Sequence, residues 1–348
     1  MMEKQHRDSP LFKASDCVTM AHGSGGRLST QLIDSLFKHY FDNRYLAQGN
    51  DSALLGLGRG RMVMSTDAHV ISPIFFPGGD IGSLAVHGTI NDVAMSGAVP
   101  CYLSAAFILE EGFPLVDLER VVVSMAMAAE AAGVAIVTGD TKVVERGKGD
   151  GIFITTTGIG FLDDSVNISG DLAIPGDVVM ISGTVGDHGM AVLSKREHLC
   201  FETALISDSA ALHGLVASML EVSSNIHCLR DPTRGGLATT LHELAEQSQV
   251  SIILDEVAIP LHPAVRGASE LLGLDPLYIA NEGKLVCICP EDEVDALLSI
   301  MQAHPLGKNA AVIGHVLPKQ WPPLQMRTPL GGVRVVDWLA AEQLPRIC

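Results

Sequence analysis

The sequence predicts a mixed α/β (α+β) protein of two domains with an extended C-terminal tail. Three observations carry this. Short apolar runs of strand length alternate with stretches whose apolar residues recur at helical spacing. Glycine, at 35 residues, gathers between those stretches, as loops joining strands to helices require. A chain of 348 residues, 47% hydrophobic, is long enough for two ordinary cores.

The elements follow in order. Leu28, Leu32, Ile33, Leu36, Phe37, Tyr40 and Phe41 fall on one stripe and predict a helix over 28–43. Residues 61–67 and 101–109 read as strands, with a helix over 81–96 between them, stopped by Gly97 and Pro100. A helix over 117–132 takes Asp117 as its N-cap and Gly133 just past its end. Strands at 134–137 and 152–161 complete the first half. The polar stretch 163–176 ends in Ile-Pro-Gly-Asp and marks a domain boundary. Beyond it the pattern gives strands at 178–182 and 251–254, helices at 208–221, 235–247 and 263–272, and strands at 277–280 and 284–289 around a tight turn. A helix over 291–303 and a strand over 311–317 close the second half. The expected organisation is a leading segment at 1–45, a first domain at 46–162, a second at 163–320 and a mobile tail at 321–348.

Lysine and arginine number 23 against 40 acidic residues, a net charge of −17. That balance argues against a sequence-independent grip on nucleic acid or on an anionic membrane. The first residues hold no apolar signal segment, and no apolar run reaches the ~18 residues of a membrane span. Seven cysteines at irregular spacing read as reduced thiols in the cytoplasm. Cys287 and Cys289 share one strand face, where packing is the plainer reading. No His-x-x-x-His or Cys-x-x-Cys spacing suggests a structural zinc site.

Four aspartates stand out: Asp51, Asp67 and Asp140 at the ends of apolar runs, and Asp92 inside an apolar helix. Hard oxygens from several elements suit Mg²⁺ that also bridges phosphates. A lone aspartate in such a place is more often a turn or cap, but an unpaired Asp92 in an apolar helix would be costly. His22-Gly23-Ser24-Gly25-Gly26-Arg27 precedes the first helix, where bare amides can cradle phosphate. It matches neither the P-loop nor the dinucleotide fingerprint, so alone it also reads as a flexible connection. Asp231-Pro232-Thr233-Arg234-Gly235-Gly236-Leu237 is either a capped helix start or a second anion-contacting segment. Asn281-Glu282-Gly283-Lys284 is either a hairpin turn or the seat of a base, Glu282.

Ser65-Thr66-Asp67, the run from Asn91-Asp92 to Val99-Pro100, Gly139-Asp140-Thr141-Lys142 and Asp231–Leu237, in that order and spacing, resemble the aminoimidazole-ribonucleotide-synthetase (PurM-like) superfamily of ATP-dependent enzymes. The resemblance covers roughly residues 20–320. The ending, from Thr328-Pro329-Leu330-Gly331-Gly332 to Pro345-Arg346-Ile347-Cys348, resembles that of the HypE family of hydrogenase maturation factors, whose hallmark is a terminal Pro-Arg-Ile-Cys. One departure is Asn50-Asp51, where many superfamily members carry paired acids.

The resemblance implies an ATP-dependent carbamoyl dehydratase. A carbamoyl group placed on Cys348 by the carbamoyltransferase HypF would be dehydrated to a thiocyanate. Its cyanide would pass to the iron centre of NiFe hydrogenase on a HypC–HypD complex. Implied cofactors are ATP and Mg²⁺, and the implied assembly is a homodimer through the first domain. Gly23, Ser24, Gly25, Gly26, Asp67, Asn91, Asp92 and Thr141 are the expected nucleotide contacts. Asp51, Asp67, Asp92 and Asp140 are the expected metal ligands. Cys348, Lys142 and Glu282 are the expected catalytic residues: carrier, charge stabiliser and base, with Lys142 and Glu282 reaching one cleft from opposite walls.

Overall fold

A computed structural model describes residues 11–48, 50, 52–56, 58–199, 203–339, 344 and 346–347. The first half opens with α1 (Arg27–Leu32), which runs through a π-helical turn (Ile33–Phe37) into α2 (Lys38–Tyr40). Then come β1 (Arg61–His69), β2 (Phe75–Phe76), β3 (Gly79–Asp80), α3 (Ile81–Ala94), β4 (Val99–Glu110), α4 (Leu115–Ala131), β5 (Ala135–Val144) and β6 (Ile152–Leu162). β1, β6, β4 and β5 form one sheet in that order. Helix α3 starts where Asp80 accepts from the amides of Gly82 (2.7 Å) and Ser83 (3.0 Å), satisfying donors that a helix start leaves open. It ends before Gly97, whose φ of +83° few other residues adopt.

Helices α3 and α4 cover one face of this sheet. The side chains of Leu103, Ala105, Phe107 and Leu109 on β4, and Ile152 and Ile154 on β6, are buried beneath them. Among the described residues, the other face carries no helix. Alternation puts Met62, Met64, Val99 and Ile108 there, each large, apolar and exposed.

The second half contributes β7 (Val178–Ile181), α5 (Asp187–Arg196), α6 (His213–Val222), β8 (Cys228–Arg230), α7 (Gly236–Gln247), β9 (Ser251–Asp255), α8 (Pro263–Leu272), β10 (Val286–Cys289), α9 (Val294–Ala303), β11 (Ala311–Leu317), β12 (Leu324–Arg327) and β13 (Val333–Val335). Its sheet runs β13-β12-β9-β11-β7-β10-β8. Helix α7 packs on Val179, Ile181, Val286 and Ile288, whereas α6 and α9 pack on Val178, Met180, Cys287 and Cys289 across the sheet. Both faces are therefore covered, and the central strands are apolar throughout. The two cysteines share a packed face, as expected.

Several sequence expectations change. Asp117 is not the cap of α4, which begins at Leu115 after Pro114; Asp117 sits in the first turn beside Arg120 (3.2 Å). β5 continues to Val144 because β4 pairs with it as far as Glu110. Residues 208–212 precede α6 rather than belonging to it, and α5 has no counterpart in the expectation. The stretch 277–280 is not a strand: Asp275 caps a 3₁₀ turn at Pro276–Tyr278. Residues 324–335 are not loose tail, since β12 pairs in parallel with β9 and antiparallel with β13 beyond it. Among the described residues no helix is long and apolar enough to cross a membrane.

Candidate active site

The expected residues fall into two groups on opposite edges of the first sheet. The first group lies beside β1. Ser65 Oγ donates to Asp92 Oδ2 at 2.7 Å, which joins β1 to the end of α3. Asp67 stands two residues further along the same face, where α3 comes close. A Cβ on Gly88 would sit 3.1 Å from the His69 ring and 3.5 Å from Asp67 Oδ2. The Arg234 guanidinium reaches to 3.8 Å from Asp67 Oδ1. Burial, and then the Asp67 charge, push the Asp92 carboxyl above its ordinary range, while Ser65 pulls it down.

Asp231 belongs to this group, though sequence reasoning did not select it. It is 8% exposed, and burial together with the Asp92 charge raises its carboxyl to about 7. The readable signal was its motif, which supplies Asp231 and Arg234 from one loop. Burial and neighbouring carboxylates thus raise Asp92 and Asp231, one from each domain, while Arg230 and Arg234 offset them, an environment that a cation would relieve.

Asn91 does something other than expected. It is 1% exposed. Its Nδ2 donates to the carbonyls of Ala210 (3.0 Å) and Glu282 (3.3 Å), and its Oδ1 accepts from Leu212 N at 2.7 Å. Its amide ties α3 to the second domain. Glu282 lies at the same junction, 3% exposed. Its loop is not a hairpin turn. Asp208 accepts from the amides of Glu282 (3.1 Å) and Gly283 (3.2 Å) and from Lys284 Nζ (3.0 Å).

The chain's end returns to this junction. Ile347, 5% exposed, packs in the first core. Its carbonyl lies 2.6 Å from Nε2 of the buried His188, whose Nδ1 lies 2.8 Å from Ser207 Oγ, one residue before Asp208. The Arg346 carbonyl accepts from Ser72 N (3.2 Å) and Arg196 Nη2 (2.7 Å), and its guanidinium pairs with Asp150. Cys348 itself, and Asp51, lie outside the described residues.

The second group lies on β5. Cross-strand partners Asp67, Thr156, Ala105 and Gly139 share one row and one face. Asp140 and Lys142 therefore point to the other, uncovered face. They are three strand spacings away, on the order of 14 Å. Both are exposed, and Lys142 Nζ lies 3.3 Å from Asp140 Oδ2. The glycine loop sits over this edge. A Cβ on Gly23 would strike Val143 N at 2.6 Å, and Gly25, with φ +79°, has open space around it. Ser29 Oγ holds the loop by accepting from Gly25 N (2.9 Å) and donating to the His22 carbonyl (2.7 Å). Loop and strand enclose a cavity of about 200 Å³ lined by Gly23, Gly25, Asp140, Thr141 and Lys142. Ser24 and Gly26 border the same loop. Within one chain, then, Asp140 does not join Asp67 and Asp92, and Lys142 does not face Glu282.

Comparison with known proteins supplies the family. Residues 49–162 match the AIR synthase related protein N-terminal domain, and 175–322 match its C-terminal domain. "Carbamoyl dehydratase HypE" of Cupriavidus necator is 63% identical over 340 residues, 97% of each chain. The chain belongs to the HypE family. A crystal structure of the hydrogenase maturation protein HypE in complex with ATP superposes with a TM-score of 0.90 at 54% identity, covering 94% of this chain and 99% of that one. A HypE–HypF complex aligns at 0.78 and 48%, covering 88% and 99%. The two-domain α/β architecture expected from the sequence is that of the HypE family.

Among the described residues no three His, Cys, Asp or Glu side chains converge on a metal-holding point. Asp67 and Asp92 nonetheless suit Mg²⁺, which takes one or two carboxylates and fills its shell from phosphate oxygens and water.

Proposed function

We propose that this chain is an ATP-dependent carbamoyl dehydratase acting on its own terminal residue, Cys348, with HypF as the carbamoyl donor. The observation that carries the reading is the course of the tail. Ile347 is held at the domain junction, on the His188–Ser207–Asp208 path that also fixes the Glu282 loop. The ATP complex of the HypE relative and the HypE–HypF complex support the nucleotide and the partner.

The chemistry is as follows. The amide oxygen of S-carbamoyl-Cys348 attacks the terminal phosphorus of ATP, ADP leaves, and an amide proton is lost. The carbon–oxygen bond then breaks, releasing phosphate as the second proton is removed, and a thiocyanate remains. Oxygen leaves as phosphate because hydroxide is a far poorer leaving group. Glu282 takes the N–H proton once the oxygen is phosphorylated. Lys142 meets the charge on the transferring phosphate. Asp67 and Asp92 would hold Mg²⁺, which neutralises phosphate charge when bound. Gly23, Ser24, Gly25 and Gly26 offer amides to the phosphates, and Thr141 lines the same cavity. The cyano group then passes to a HypC–HypD complex, which would supply the two electrons that make it cyanide, and Cys348 is released as a thiolate.

The separation of the two groups is met by a homodimer. The uncovered sheet face with Met62, Met64, Val99 and Ile108 is where a second copy would pair. A two-fold axis running along the strands sets each β5 edge against its partner's β1 edge. Lys142 and Asp140 of one chain would then complete the site of Asp67, Asp92 and Glu282 in the other.

The test is single-turnover dehydration of carbamoylated protein with Mg²⁺ and ATP. Wild type should lose one water per chain. Carbamoylated Glu282→Ala should bind ATP and fail to lose water; water loss at the wild-type rate would remove Glu282 as the base.

A further inference from the structure

His188 is buried, and no step above uses it. A carbonyl only accepts, so the 2.6 Å contact to Ile347 O requires a proton on Nε2. Burial lowers the His188 pKa, leaving the ring neutral and Nδ1 free to accept the Ser207 hydroxyl proton at 2.8 Å. Ser207 Oγ in turn accepts from Ser209 N at 3.1 Å. The Phe76 ring meets the imidazole edge-on at 5.4 Å. Ser207 and Phe76 thus fix the tilt of the ring, and the Ile347 carbonyl fixes its tautomer.

One residue back, Arg346 takes a left-handed backbone with φ +53°. L-residues other than glycine rarely adopt it. Its carbonyl receives Ser72 N and Arg196 Nη2, while Arg196 Nε donates to Ser72 O at 2.7 Å. Consecutive carbonyls of the last residues are therefore held by donors from both domains. Backbone contacts of this kind fix where the next residue points, whatever its side chain carries.

We propose that His188 is a positioning residue for the dehydration step, its Nε2–H holding the Ile347 carbonyl and so aiming the carbamoylated residue that follows. This rests on the reading above, and the chemistry asks for it: a reacting oxygen displaced by about 1 Å loses on the order of 100-fold in rate.

The experiment compares His188→Leu with His188→Gln, whose side-chain amide can donate to Ile347 O and accept from Ser207. Each full-length variant is carbamoylated and given saturating Mg²⁺–ATP in a single turnover. His188→Leu should bind ATP and accept carbamoyl normally but dehydrate on the order of 100-fold more slowly, and His188→Gln should recover most of that loss. Before carbamoylation, iodoacetamide should label the terminal peptide faster in His188→Leu than in wild type or His188→Gln. Should His188→Leu fail to fold, Ser207→Ala, which frees the ring, should show the same two changes in smaller degree. A folded His188→Leu that dehydrates within about twofold of wild type, or a His188→Gln no better than His188→Leu, overturns the proposal. If wild type itself loses no water, the dehydratase reading fails instead, and the labelling arm still decides whether His188 holds the tail.

Discussion

The β1 edge and the β5 edge of the first sheet carry similar residue types in different physical settings. Beside β1, Asp92, Asp231, Asn91 and Glu282 are buried or half-buried and come from both domains; Ser65 donates to Asp92, and Asn91 and Asp208 tie down the Glu282 backbone. On β5, Asp140 and Lys142 are exposed, and a pair of that kind adds little stability by itself. A buried group must be satisfied by the fold before any ligand binds. An exposed one is free to be completed later by phosphate or by a second chain. The contrast explains why the β1 side reads as a finished half-site and the β5 side as a waiting one.

The sharpest way to break that account is to remove one residue from each side. Lys142→Ala and Asp92→Ala should each lower ATP-driven dehydration on the order of 100-fold or more. Mixed after subunit exchange, the two inactive proteins should recover about a quarter of wild-type activity, because half the dimers then carry one intact composite site. No recovery, with mixed dimers shown by mass, would place both groups in one chain's site.

A smaller effect sharpens the same contrast through stability. A Cβ on Gly283 would lie 1.8 Å from the Asp208 carbonyl oxygen, whereas one on Gly25 meets nothing within 4 Å. Gly283→Ala should destabilise by about 1–3 kcal/mol, through overpacking at the junction. Gly25→Ala should cost about 1 kcal/mol, through its positive φ alone. Thermal melts of the two variants compare them directly.

The smallest effect is in pH. Burial pushes His87, which contacts Ser209 across the junction at 3.0 Å, from 6.5 down to about 4. The folded chain keeps this ring neutral while the unfolded chain protonates it near 6.5. Stability is therefore full above that value and falls as pH drops from 6.5 toward 4. His213 and His188 are lowered by burial too and act with the same sign. His87→Gln should show a smaller drop in Tm between pH 7 and pH 5 than wild type.

Much of the fold was legible because it is written in local pattern. α3, α8 and β11 were readable from periodicity, from Gly97 and Pro263, and from a short run of mostly apolar residues. α5 was not, since Gly-Asp-His-Gly hides a helix start whose cap, Gly186, takes φ +82°. The site was legible as motifs but not as a map. Nothing in the spacing says that β5 ends up three strands from β1, because β6, last in sequence, lies next to β1. Asn91 sits beside Asp92 in the chain, yet the two face different neighbours. His188 had no signal at all: its role depends on a carbonyl 159 residues away.

The most direct measurement is the intact mass of the protein after treatment with the carbamoylation system and then Mg²⁺–ATP. One carbamoyl group should appear, confined to the terminal peptide, and ATP should then remove one water from it. Deleting Cys348 should abolish both changes in a protein that still folds. An adduct on Cys17, Cys101 or any other cysteine of that deletion, or a carbamoyl group that ATP leaves unchanged on Cys348, would contradict the account.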